Sequence, residues 1–145
     1  MSVDVFLDTN IFIYDLDSSD KLKQCIATAI IRSALDSGTA CISYQVVQEC
    51  LNVALRKAEI PLDARQSEAY LTRVLVPMWR VMPSEKLYHR AIQIQARTRY
   101  AFYDSLIIAA AIDAGCSRLY TEDLQHGQEI EGLRIENPFL AAAQS

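Results

Sequence analysis

The chain has 145 residues, 51% of them hydrophobic and 22% charged, with a formal net charge of −4. These values suit one soluble domain spanning 1–145 and exclude a disordered or low-complexity chain. The acidic balance weighs against a simple nucleic-acid binder, which is usually basic. It does not decide the matter, because clustered acids would be part of that charge and bound dications would reverse its sign locally.

No apolar run approaches the roughly 18 residues of a membrane span. The start, MSVDVFLD, lacks the basic segment and cleavage site of a signal peptide. Cys25, Cys41, Cys50 and Cys116 form no CxxC and have no histidine at zinc spacing. Reduced, mostly buried thiols in a cytoplasmic protein are therefore expected.

Residues 3–7 read as a short strand, apolar on both faces. Thr9 and Asn10 follow as candidate helix caps. KLKQCIATAIIRSALDSG has apolar residues at helical spacing (Leu22, Ile26, Ala29, Ile30, Ala34) and stops at Gly38. ACIS, residues 40–43, is a second strand, and Ser43 is placed to cap the helix carrying Val46, Val47, Leu51 and Val53. Another helix begins at Pro61 and Asp63 and is expected to end before Pro77. WRVM reads as a third strand. Ser84 then caps a helix through about Arg99, and Tyr103–Ala114 forms a helix buried nearly all round that ends at Gly115. RLYT is a fourth strand and LRIE a weaker fifth. Strands apolar on both faces, alternating with helices, predict an α/β fold with a mainly parallel central sheet of four to five strands, covered on both sides.

Four acids stand where these elements end or turn: Asp8 after the first strand, Glu49 about two turns into its helix, Asp104 at a helix start and Asp123 after the fourth strand. In a parallel sheet ligands collect beyond the C-terminal strand ends. If the fold gathers the four, like charges repel at about 4 kcal/mol per close pair at an effective dielectric near 20. Such a cluster persists by binding a cation or taking up protons. Carboxylates without His or Cys partners offer hard oxygen ligands suited to Mg²⁺ or Mn²⁺, and metal-assisted phosphodiester hydrolysis follows. Thr9 is positioned to orient a water or the backbone, and Asn10 to hydrogen-bond Asp8 or substrate. Singly, each acid also has an ordinary reading: a turn or cap for Asp8, a dipole-favoured helix acid for Asp104, a solvated helix edge for Glu49. Glu122 sits beside Asp123, so which of the two faces inward is open. Asp4, Asp15, Asp17 and Asp20 are assigned to solvated loops or edges, and His89 and His126 to surface or polar contacts.

At these residues the chain resembles the PIN-domain family, and within it the VapC toxins of bacterial toxin–antitoxin pairs. VFLDTNIFIY, ISYQVVQECLNV, FYDSLIIAAAIDAGCSRLYTEDLQHG and the closing IENPF carry the resemblance in family order. It implies a three-layer α/β/α sandwich and a Mg²⁺- or Mn²⁺-dependent endoribonuclease. Asp8, Glu49, Asp104 and Asp123 match the family's acidic positions, Thr121 its strand-end Ser/Thr, and Asn10 the polar residue after the first Asp. A homodimer and an inhibitory cognate antitoxin are further implications, with a basic antitoxin tail suited to the acidic balance here. RNA contacts fall to local cations, with Arg56, Lys57, Arg97 and Arg99 as candidates. The competing readings are a catalytically weak PIN module that binds RNA or a protein, and a HAD-type phosphatase. The latter needs an acid two positions after Asp8, where Asn10 stands.

Overall fold

The structure is a computed structural model that describes residues 3–56 and 62–140. Its central sheet has six strands: β1 (Val5–Leu7), β2 (Ala40–Ser43), β3 (Trp79–Val81), β4 (Arg118–Tyr120), β5 (Glu129–Ile130) and β6 (Leu133–Glu136). They lie in the order β3-β2-β1-β4-β6-β5, parallel throughout except for the edge pair β5–β6. The fourfold run of parallel pairings agrees with the sequence expectation; β5, two residues long, was too short to leave a pattern.

The helices are α1 (Thr9–Leu16), α2 (Lys21–Ser37), α3 (Tyr44–Arg56), α4 (Ala64–Tyr70), α5 (Val76–Met78), α6 (Glu85–Thr98) and α7 (Phe102–Asp113). Helices α1, α2 and α3 pack on one another, and α6 packs along α7. With this strand order, the right-handed crossover that parallel strands almost always take sets the helices that lead to β2 and β3 on one face and those that lead back to β4 on the other. The result is the three-layer α/β/α sandwich. Phe6, Leu7, Ile42, Leu119 and Ile135 from the strands and Phe12, Ile94 and Ile108 from the helices are fully enclosed. Strand β1 is buried on both faces because it lies between β2 and β4 and beneath helices on each side.

Several local expectations are corrected. The cap of α1 is Asp8 itself, whose carboxylate accepts from the Thr9 amide at 2.7 Å; Thr9 and Asn10 are the first helical residues. The buried stripe of α2 is Ala27, Ile31 and Ala34, while Leu22 is half exposed. Ser43 does not cap α3: it is buried at the end of β2 and its hydroxyl has no hydrogen-bond partner. The helix begun by Asp63, with a full capping box to Gln66, runs past Pro77. A π-helical turn at Leu71–Leu75 precedes Pro77, which stands in the first turn of α5 and has no N–H to give to the turn before it. Asp15 is no solvated edge. It accepts from the hydroxyls of Thr28 (2.6 Å) and Tyr70 (2.9 Å) and ties α1 to α2 and α4. Pro61 and Lys57 lie outside the described residues.

Candidate active site

Strand order reverses at β1. From it the chain steps outward through β2 to β3, then returns to lay β4 on the other side. A crevice forms at such a switch point, beyond the carboxyl ends of the two diverging strands. Asp8 leaves β1 there, and Thr121, Glu122 and Asp123 leave β4 there. The backbone fixes both ends: the Asp8 amide donates to Tyr120 O of β4 (3.0 Å), and the Thr121 amide donates to Glu136 O of β6 (3.0 Å). A cavity of about 520 Å³ opens at this rim. Asp8, Glu49, Asp104 and Asp123 all line it, together with Thr9, Asn10, Tyr14, Gln45, Tyr103 and Glu122.

Hydroxyl and amide groups knit the acids. Thr121, fully buried, donates to Asp8 Oδ2 at 2.7 Å and accepts from the Asp123 amide at 3.2 Å. Thr9 donates to Glu49 Oε1 at 2.7 Å, bridging α1 to α3. Asn10 Nδ2 donates to Asp123 Oδ2 at 3.2 Å. Thr9 and Asn10 therefore hold carboxylates in place, and Thr121 is the hub between β1 and β4.

Asp8 is only 6% exposed. Burial pushes its carboxyl up to about 7, against the opposing pull of the Thr121 and Thr9 hydrogen bonds, and the charges of Asp123 and Glu49 raise it further. Asp104, in the first turn of α7, is likewise raised, by burial first and then by Asp123 and Glu49. Among the described residues, the lining holds no Lys or Arg that would neutralise this charge. Among the described residues, no three His, Cys, Asp or Glu side chains converge tightly enough to form a ready-made metal cluster. The carboxylates instead ring an open cavity. The donor set is all hard oxygen, and Asn10 Oδ1 is buried with no partner. These features fit a small divalent cation that keeps several of its waters, as Mg²⁺ does.

Glu122 lines the cavity, but both its oxygens are engaged: one accepts from the Tyr14 hydroxyl, the other from Lys23 Nζ at 2.6 Å. Lys23 also lies over the Tyr14 ring, 4.9 Å from its centroid. Asp123 is thus the acid of this pair that is tied to the site through Asn10. No sequence pattern marked Lys23 or Tyr14, because their partner is about 100 residues distant. Lys23→Met should lower stability by about 1–3 kcal/mol, since it leaves a three-quarters-buried carboxylate without its charged donor. Urea unfolding of the variant checks this, and an unchanged midpoint would contradict it.

Arg56, Arg97 and Arg99, three of the four sequence-chosen cations, do not line the cavity. Arg56 is exposed at the end of α3, Arg97 is paired with Glu131 at 2.7 Å, and Arg99 is the exposed left-handed cap of α6 (φ 65°). Lys57 is outside the described residues. His89 is exposed beside Glu85, and His126 Nδ1 accepts from the Asn137 amide at 3.0 Å. Among the described residues no helix is long and apolar enough to cross a membrane.

Residues 5–128 match the PIN domain family model. No curated protein matches the chain in sequence. Among solved structures, a toxin–antitoxin complex from Klebsiella pneumoniae is 21% identical, with 93% of this chain and 98% of that chain covered and a TM-score of 0.63. VapBC2 from Rickettsia felis, bound to a DNA fragment from its promoter, is 18% identical over 93% and 98% of the two chains, with a TM-score of 0.67. VapC20 from Mycobacterium tuberculosis, a sarcin–ricin loop cleaving toxin, is 19% identical over 83% and 90%, with a TM-score of 0.59. At these identities the likeness is one of fold. With the family model spanning most of its length, and with the sheet order and acidic rim described above, the chain belongs to the PIN-domain family.

Proposed function

We propose that the protein is a VapC-like endoribonuclease that hydrolyses RNA phosphodiester bonds with the help of Mg²⁺ or Mn²⁺. The observation that carries this reading is the ring of four acidic side chains on one cavity, with no protein cation among its described lining residues. Asp8, Asp104 and Asp123, with Glu49, would hold the ion. Such an ion, once bound, neutralises phosphate charge, activates a water as nucleophile and stabilises the leaving oxygen. The protein's own residues supply the placement. Thr121 fixes Asp8 and the Asp123 backbone, Thr9 fixes Glu49, and Asn10 orients the Asp123 carboxylate. Among the described residues, the cavity's lining holds no Ser–His or Cys–His pair that would serve as a covalent nucleophile.

Toxin–antitoxin complexes among proteins of this fold support an inhibitory antitoxin as the partner of this chain, and a homodimer and a cytoplasmic setting belong to the same reading. A HAD-type phosphatase is disfavoured, because Asn10 spends its amide on Asp123 and has no carboxyl to act as acid or base. A catalytically weak PIN module that only binds RNA or a protein has one observation in its favour: the carboxylates do not converge into a ready-made cluster among the described residues. Incubating purified protein with total RNA in Mg²⁺, in Mn²⁺ and in chelator decides between the two. Discrete cleavage products that disappear with chelator are expected. Intact RNA under all conditions, with RNA binding retained, would favour the binding module.

A further inference from the structure

Among the described residues, the cavity that would receive a polyanion has no Lys or Arg in its lining, so these residues grip the nucleic acid only through a bound ion and neutral contacts. Two aromatic rings among them line it, Tyr14 and Tyr103. Tyr14 is already used: its hydroxyl is bonded to Glu122, Lys23 lies over its ring, and Phe139 packs against it with centroids 4.9 Å apart. Tyr103 is 67% exposed, although it is a large ring immediately before Asp104.

It is also held. Phe102 meets it edge to face, with centroids 5.6 Å apart and planes at 69°. Its carbonyl accepts from Gln45 Nε2 at 3.2 Å, and Gln45 is a buried residue of α3 that also lines the cavity. A carbonyl only accepts, so the Gln45 amide nitrogen must face Tyr103. That leaves Gln45 Oε1 buried and without a partner. An exposed ring with a fixed backbone, next to an acid of the site, is what stacking on a nucleobase requires: every base offers a π-face, and the contact needs no positive charge.

We propose that Tyr103 is a base-stacking platform, braced by Phe102 and Gln45, which makes this cavity select RNA with an unpaired base beside the attacked phosphate. Bases within a duplex are stacked on one another and cannot be offered to a side chain, whereas loops and bulges present theirs. This rests on the nuclease reading above and adds the side chain that would hold the base. The ring binds and positions substrate and takes no part in the bond chemistry.

The test uses the full chain and a short oligoribonucleotide carrying 2-aminopurine, either unpaired or in a duplex, with Ca²⁺ as the oxygen-seeking ion. Wild type and Tyr103→Phe should bind the unpaired strand and quench its fluorescence. Tyr103→Ala should bind it about 10- to 100-fold more weakly and lose the quench, while the duplex shows no such difference. In Mg²⁺, Tyr103→Ala should raise KM for unpaired RNA and leave kcat near wild type. Equal quenching and equal affinity in Tyr103→Ala would overturn the proposal. So would gel filtration showing a wild-type dimer that Tyr103→Ala converts to monomer, since the ring would then serve a second copy of the chain. The two readings fail separately. Tyr103-dependent quenching without cleavage in Mg²⁺ removes the nuclease and keeps the platform; cleavage indifferent to Tyr103 does the reverse.

Discussion

In chelator at about pH 8, Asp8→Asn is expected to melt roughly 10 °C above wild type, and the gap should close as the pH approaches about 4. Asp8 has an ordinary carboxyl value of 3.8 in the unfolded chain and about 7 in the folded one. Between those limits the folded state binds more protons than the unfolded state, so stability falls as pH rises through the window. Below it the carboxyl is neutral in both states, and its full favourable contribution is present; above it that contribution is lost. The shift corresponds to up to about 4 kcal/mol. Asparagine stays neutral; it can accept from the Thr9 amide and donate to the Thr121 hydroxyl, a reversal that takes the acceptor from that buried hydroxyl's own proton and offsets part of the gain. Asp4 works in the opposite sense. Its hydrogen bonds from Ser117 and Arg118 hold it below the usual range, so its contribution is lost at the acid end. Thermal melts of both proteins across pH check the prediction, and parallel curves with a constant offset would contradict it.

Asp104→Asn should reduce Mg²⁺-dependent RNA cleavage by more than about 100-fold, since changes to residues that merely support a metal's ligands already cost 10- to 100-fold. The substitution is nearly isosteric and sits in the first turn of α7, a helix whose burial by Leu106, Ile107, Ile108 and three alanines does not depend on residue 104. Removing one charge from the group formed with Asp123 and Glu49 relieves repulsion in the ion-free protein. The same change should shrink the rise in melting temperature that Mg²⁺ produces in wild type, because the ion stabilises only to the extent that it prefers the folded site. Cleavage and melting then move in opposite directions in one variant, an outcome that misfolding cannot imitate. Cleavage by Asp104→Asn equal to wild type would remove the assignment.

Most of the fold could be read from the chain because the parallel strands are buried on both faces and stand out as short apolar runs between helical patterns. The acidic quartet was legible for the same reason, as charges at the ends of such runs, and the structure brings all four to one cavity. The errors were local. Ser43 carries the right residue type for a cap, but it lies buried at a strand end. Periodicity placed the α2 stripe one step off, because Leu22, Ile26 and Ile30 are apolar yet only partly covered. Asp15 and the Lys23–Glu122–Tyr14 group depend on partners far along the chain, and no window of sequence contains both sides of those bonds. Arg56, Arg97 and Arg99, chosen for RNA by charge, do not line the cavity, since charge composition says nothing about which wall of a cavity a side chain occupies.

The neighbours of β1 impose an order of assembly. Phe6 pairs with Cys41 on one side and with Leu119 on the other, and Asp8 depends on a hydroxyl 113 residues downstream. A nascent chain halted anywhere before β4 leaves the middle of its sheet with an open edge, and Asp8 without Thr121 or Asp123. Closing so long a loop comes late in folding. The acidic centre therefore matures only after β4 has been made, and a translation product that ends before Asp123 cannot carry it.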